Sequence, residues 1–544
     1  MLSTKYLDEN ITKKSQSKQS GVCAEKDVEK DAEKIIRLER ENKLLKEYIR
    51  WILTKKYGAK SEQLSDEQLS LLELEPSVCD AEVATEAAVT EAPAKVATKP
   101  VKKPVRGPLP ANLPRREKVI HCPESQCHCS QCGARKKLVG YESSERLGMK
   151  PREFFVEITK REKLACGKCE ELGVAVAAVP ATIIEKGILA DSLVIDLVIN
   201  KYCDHLPLYR QSMGIKRDTG MEVSQSTMGS AVMGVGTICG MISEAMKKEL
   251  LGGGYVQADE TTVPVQSGRT KGKNWKGWMW EYGHPLGPVI YDFRMGRERE
   301  GPKLFLAGYE GRLQSDGYAA YNQLSGTKLI YFGCWAHARR KFFEASKADP
   351  TDAKSVRVVK KIGELYAVES EARDGGLDDK MRATLRGERS RPLLEELKAM
   401  IIEVKGKVLP QSGLGKACTY AINQWERLVR YVEPEHGMVE IDNNWAENGM
   451  RGVALGRKNW IHIGSEESGT KIAAILSVLE TCKRLQINAR EYLADVLPQL
   501  VFASTRPKVV CRPADLTPRA WALARAAKAE PKDEEKSTPN TRER

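Results

Sequence analysis

The sequence predicts a multidomain α+β protein, and three observations carry that prediction. A heptad-spaced helix comes early, two CxxC pairs follow it, and a run of short apolar segments holding two aspartates passes into helices that carry a glutamate. A chain of 544 residues is long enough for several domains, and with 41% hydrophobic residues it can build real cores. The formal net charge of +13 favours a polyanionic partner such as nucleic acid. No uninterrupted apolar run approaches a membrane span; the best candidate, Ile188–Ile199, is broken by Asp191 and Asp196. The opening MLSTKYLDEN lacks the apolar core of a signal peptide, and most of the 14 cysteines are isolated, as reduced thiols would be. Membrane and secreted classes are therefore set aside, and a cytoplasmic chain without a membrane partner is expected.

Residues 1–27 are polar and expected to be disordered. Across 28–75, Ile35, Leu38, Asn42, Leu45, Ile49 and Ile52 fall at alternating a and d positions. One Asn among Ile and Leu is the pattern of a short parallel homodimeric zipper, its buried amide fixing register. An amphipathic helix packed on its own domain is the alternative. A second short helix follows Gly58. Residues 76–118 form a Pro/Lys-rich linker whose second half is strongly basic, suited to touching phosphates non-specifically.

A zinc-binding module is expected over 119–180. Cys129 and Cys132 make one knuckle, and Cys166 and Cys169 the other. Four thiolates complete a tetrahedral Zn²⁺ site with no open position, so its role would be structural. Cys122, Cys127 and His128 lie close by and leave the identity of the first pair open, and a redox disulfide pair is the competing reading. Residues 181–250 read as helical. Within them LYRQSMGIKRDTGMEVSQSTMGSAV fits a helix-turn-helix whose second helix starts near Ser224, or equally a helical connector.

The catalytic core is expected over 251–480. In YVQADETTVPVQ the alternation of Val256, Ala258, Val263 and Val265 marks a buried strand, in which Asp259 is out of place. Trp278–Tyr282 and Pro288–Phe293 continue it as an antiparallel meander. A fourth segment, RLQSDGYAAY, ends on Asp316, although Asp-Gly is also an ordinary turn dipeptide. A strand at Leu329–Phe332 runs into a helix bearing His337, Arg339, Arg340 and Lys341, basic residues suited to a DNA backbone. Cys334 and His337 stand at i, i+3 spacing and are read as packing residues.

A helical insertion is expected at about 350–432. Asp442 then N-caps a helix on which Asn443, Glu447 and Arg451 share one face, with Arg457 and Lys458 extending a DNA-binding surface. Acids on a first strand, a fourth strand and a late helix are the layout of an RNase H-like nuclease or transposase core. There Asp259, Asp316 and Glu447 would hold two divalent cations, Mg²⁺ or Mn²⁺. A helical C-terminal domain over 481–530 and a disordered tail over 531–544 complete the chain.

Taken in order, LTKKYGAKSEQLSDEQLSLL, RGPLPANLPRREKVIH, the CxxC pairs, KYCDHLPLYRQ, ADETTVPV, SDGYAAYN, CWAHARRKFFEA and IDNNWAENGMRGVALGRKNWIHIGSEESG resemble the large transposase of the insertion sequence 66 family. The resemblance implies a DDE transposase with Asp259, Asp316 and Glu447 as catalytic acids, a structural Zn²⁺, and double-stranded DNA as partner at element ends and target. It further implies a nucleoid-associated bacterial protein working as a dimer or higher oligomer, together with accessory proteins of the same element. Glu260 is expected to point to the opposite strand face from Asp259. Two competing expectations remain: a non-catalytic DNA-binding regulator derived from a transposase, and a metal-dependent nuclease without strand joining.

Overall fold

The computed structural model describes Leu38, residues 153–165, 174–176 and 181–529, less positions 186, 267–273, 318, 322–323, 325–327, 349–352 and 506–510. The zipper (Leu38 apart), the linker and the knuckle cysteines Cys129, Cys132, Cys166 and Cys169 lie outside the described residues. The chain divides into two compact units, residues 91–174 and the remainder. The first contributes a short strand β1 (Lys163–Ala165), and β2 (Val174–Val176) falls at the boundary.

The larger unit is built on five strands. They are β3 (Tyr255–Gln266), β4 (Asn274–Gly283), β5 (Val289–Arg294), β6 (Glu310–Gln314) and β7 (Lys328–Phe332). Their spatial order is β5-β4-β3-β6-β7. The first three form an antiparallel meander, while β6 and β7 add parallel to β3 on its other side. A parallel neighbour needs a crossover, and α4 (Glu300–Phe305) lies in the link between β5 and β6.

Helices α1 (Asp191–Tyr202), α2 (Leu208–Thr219) and α3 (Gln225–Gly252) precede the sheet. Ser224 caps α3, its hydroxyl accepting the Thr227 N–H at 3.1 Å. Far from ending after a few turns, α3 runs on into the core, packing against β5 and against α12 (Glu466–Arg484). Among the described residues α3 alone is long and apolar enough to cross a membrane, and half of that stretch is buried in the protein.

Helix α12 also covers the sheet edge. The outward N–H groups of Val289 and Tyr291 on β5 donate to Thr481 Oγ1 (3.0 Å) and Ser477 Oγ (2.8 Å). Four helical residues rise about 6 Å and two strand residues about 6.8 Å, so hydroxyls at i, i+4 match alternate strand amides. An edge that could pair with another chain is thereby closed.

After β7 come α5 (Trp335–Ala348), α6 (Ala353–Asp374), α7 (Asp379–Leu385), α8 (Arg391–Gly406), α9 (Gly413–Asn423) and α10 (Trp425–Val429). Trp335 and Phe342 of α5 share one core with Tyr255 and Phe332 of the sheet and with Val358, Leu397 and Ile401 of the helices beyond. A single π turn, Arg386–Ser390, joins α7 to α8 and buries Arg386 completely. Its guanidinium donates to both oxygens of Glu369 (2.8 and 2.7 Å) and to the carbonyls of Tyr431, Gly437 and Val439 (3.2, 3.3 and 2.9 Å). This buried pair ties the helical segment to the strand of chain that leads into α11 (Asn444–Trp460). Helices α13 (Ala489–Thr505) and α14 (Pro518–Ala529) close the described chain.

Candidate active site

Strand register brings the two aspartates together. Strand β3 pairs with β6 in parallel through Tyr255↔Arg312, Val256↔Leu313 and Gln257↔Gln314. Carrying the same offset two residues further sets Asp259 beside Asp316, on the same face and one strand spacing apart. Asp316 lies two residues past the end of β6, and Gly317, at φ 87°, turns the chain away where a side chain would be strained. The Tyr420 hydroxyl of α9 donates to the Asp316 carbonyl at 2.8 Å, fixing that turn.

Helix α11 crosses this face of the sheet and delivers Glu447. Asn443, fully buried ahead of the helix, donates from its amide to the Ala258 carbonyl at 3.0 Å. At the other end Arg457 bonds Thr261 Oγ1 (3.0 Å) and the Thr262 carbonyl. Between them Gly449 lies on Glu281, the cross-strand partner of Asp259; a Cβ there would come within 2.3 Å of the carboxylate. Arg484 of α12 pairs with that buried Glu281 at 2.5 Å and donates to the Trp445 carbonyl at 2.8 Å. Asp442, the expected cap, lies one residue ahead of the N-cap position, which Asn443 occupies. The helix begins at Asn444, and Asp442 Oδ1 accepts its N–H at 3.1 Å, whereas Asn443 makes no side-chain cap.

The electrostatics follow from this crowding. Burial, then the charges of Glu447, Glu260 and Asp316, push the Asp259 carboxyl up to about 8. Glu260 faces the other way, its carboxylate paired with Arg297 at 2.6 Å and accepting from the Tyr321 hydroxyl at 3.2 Å. Glu447 is held from α5, where Arg340 reaches its Oε2 at 3.1 Å and His337 Nδ1 stands 3.2 Å from its Oε1. The second contact is close but not aligned: both atoms are buried and neither makes a hydrogen bond.

The basic residues singled out in the sequence fall into different roles. Arg340, Lys341 and Lys458 are exposed, with Lys341 lying over the Tyr420 ring at 4.6 Å. Arg339 and Arg451 are half-buried on α5 and α11. Asn443 and Arg457 spend their side chains on β3 and so hold α11 in place, where a phosphate contact was expected of them.

Sequence reasoning passed over the polar network beneath the acids. Gln257 donates to Gln314 Oε1 (3.0 Å) and to the Asp442 carbonyl (2.8 Å), and accepts the Ala446 N–H (3.3 Å). Gln314 donates to the carbonyls of Gly333 and Glu440, both at 2.9 Å. The signal was present as a repeated Gln-x-Asp, Gln257 with Asp259 and Gln314 with Asp316, a buried amide two residues before each acid.

Comparison with known proteins accounts for most of the chain. A family model described as the transposase IS66 family matches residues 186–471. A second, described as transposase C of IS166 homeodomain, matches 44–117, and a third, the zinc-finger binding domain of transposase IS66, matches 126–170 and so spans all four knuckle cysteines. Three proteins of Sinorhizobium fredii are similar in sequence. Uncharacterized protein y4qI is 34% identical over 72% of this chain and 73% of its own length. Uncharacterized protein y4hP is 30% identical over 86% and 87%, and uncharacterized protein y4jD 31% over 73% and 78%. With more than half the residues under one family model and relatives of this extent, the chain belongs to the IS66 transposase family.

Proposed function

We propose that this protein is a DNA transposase whose Asp259, Asp316 and Glu447 form a divalent-cation-dependent centre for cutting element ends and joining them to target DNA. The observation that carries this reading is the β3–β6 register, which sets the two aspartates side by side beneath the helix bearing Glu447. The strand order β5-β4-β3-β6-β7, with three antiparallel and two parallel strands, supports an RNase H-like core. A buried carboxyl opposed by the charges of neighbouring acids fits a hard cation with oxygen ligands. When bound, such cations activate the attacking oxygen and neutralise the charge that gathers on phosphate.

The chain's own residues supply position and charge. Asn443, Gly449 and Arg457 hold α11 against β3 and β4, so Glu447 is presented from a rigid element. Arg340, Lys341 and Lys458 offer exposed cations for the DNA backbone around the centre. The zinc-finger domain and adjoining helices would recognise the terminal inverted repeats. The zipper would pair two subunits so that both ends are processed together, with accessory proteins of the element joining the assembly.

The test is Mg²⁺-dependent cleavage and joining of a labelled element-end duplex by the wild-type protein and by Glu447→Gln. This nearly isosteric change should leave end binding intact while removing cleavage and joining. Equal reaction by both proteins would remove Glu447 from the centre. Binding without cleavage by the wild type, even with accessory proteins added, would favour a regulator.

A further inference from the structure

We propose that Cys334, His337 and Glu447 form a second cation site, built for a borderline transition metal of the Zn²⁺ class and sharing Glu447 with the carboxylate centre. Their ligand atoms, one sulfur, one ring nitrogen and one carboxylate oxygen, all lie within 4.8 Å of one another. Ligands set tetrahedrally at about 2.0–2.3 Å from one ion stand roughly 3.3–3.8 Å apart, inside that limit. Two further observations favour a metal at this cluster. His337 Nδ1 and Glu447 Oε1 are buried, face each other at 3.2 Å, and make no hydrogen bond. The Cys334 sulfur is fully buried and accepts the Asn443 N–H at 3.3 Å, the kind of amide contact that supports a ligating thiolate.

The donor set decides the metal. Mg²⁺ wants oxygen ligands in a near-octahedral shell, whereas thiolate with imidazole selects Zn²⁺ and its neighbours. Three protein ligands leave a fourth position open, unlike the expected four-thiolate site of Cys129, Cys132, Cys166 and Cys169. Binding would release the Cys334 thiol proton to solvent. It would also claim Glu447 Oε1, leaving Oε2, which Arg340 already contacts. Zn²⁺ held here should therefore silence the centre without loosening DNA. This last consequence rests on the proposed function, whereas the binding of metal does not.

The experiment titrates Co²⁺ into full-length protein whose knuckle site is already filled with Zn²⁺, with circular dichroism and melting curves confirming that each variant is folded. One added equivalent with a thiolate-to-Co²⁺ charge-transfer band is expected in the wild type. Cys334→Ser should lose the band, His337→Gln should bind at least about tenfold more weakly, and Asp259→Asn should keep both band and affinity. Equal bands in wild type and Cys334→Ser would overturn the site. A band lost in Asp259→Asn would also overturn it, since the ion would then lie among the acids. Zn²⁺ should inhibit strand cleavage in the wild type, and undiminished cleavage with the site filled would overturn the sharing of Glu447. A protein that shows the band yet never cleaves DNA would uphold the metal site and defeat the transposase chemistry instead.

Discussion

Glu369 and Asp259 are carboxylates buried within one fold, and their surroundings treat them oppositely. Burial alone would raise the pKa of Glu369, but the charges and hydrogen bonds of Arg386 and Arg382 outweigh it and hold the group below its ordinary value. Arg382 goes on to pair with Glu440 at 2.7 Å, so that cluster is closed on itself. Asp259 has the reverse company, with burial and three acids all opposing its charge. The first arrangement is what a structural joint requires, since a buried charge is tolerable only when paired and hydrogen-bonded. The second is stable only with the proton kept or a cation supplied, which is what a metal centre requires.

Substitution should separate the two regions, and the largest effect belongs to the acids. Asp259→Asn should cost cation-dependent cleavage more than the roughly 10–100-fold that loss of an outer-shell partner costs, while thermal stability stays equal or rises. Strand-cleavage rates and melting curves on the same preparations would read both. Arg386→Met should do the reverse. It strands the Glu369 charge and should lower unfolding free energy by about 3–5 kcal/mol, with no direct effect on cation binding. A loss under about 1 kcal/mol in denaturant titration would erase the distinction.

pH supplies a subtler contrast, because the two shifts have opposite signs. The folded pKa of Asp259 is raised, from 3.8 to about 8, so its stability contribution is complete below the lower value and is lost as pH climbs through the upper one. The folded pKa of Glu369 is lowered from 4.5, so its contribution is present above that value and lost on acidification. Metal-free protein should thus weaken between about pH 4 and pH 8 in a way that Asp259→Asn flattens, as denaturant midpoints across that range would show. The smallest effect is expected at Arg340, whose side chain is 52% exposed. Arg340→Ala should change stability by less than about 1 kcal/mol, and should reduce the salt slope of DNA binding by about 1.

The same contrast explains what the sequence could and could not disclose. Strand alternation around Asp259 and the Gly-bounded apolar runs are local signals, and the meander β3–β4–β5 follows them. The helical character of 353–429 was equally visible in amphipathic stretches such as RPLLEELKAMIIEVKG. Helical spacing grouped Asn443 with Glu447 correctly, but a helical wheel does not say which face meets the sheet, and Asn443 proved to be spent on Ala258. Arg457 likewise bonds partners on β3 that lie nearly two hundred residues earlier, a contact no local pattern discloses. Cys334 and His337 read as packing residues in the sequence, and only tertiary structure brings Glu447 beside them.

Whether the acid cluster binds a divalent cation is the central question. Melting temperature with and without Mg²⁺ at pH 8, for the wild type and for Asp259→Asn, tests this without needing to know the DNA ends. A ligand that binds only the folded state raises stability, so Mg²⁺ should raise the wild-type midpoint and leave that of Asp259→Asn unchanged. Equal shifts in the two proteins, or no shift in either, would contradict the assignment.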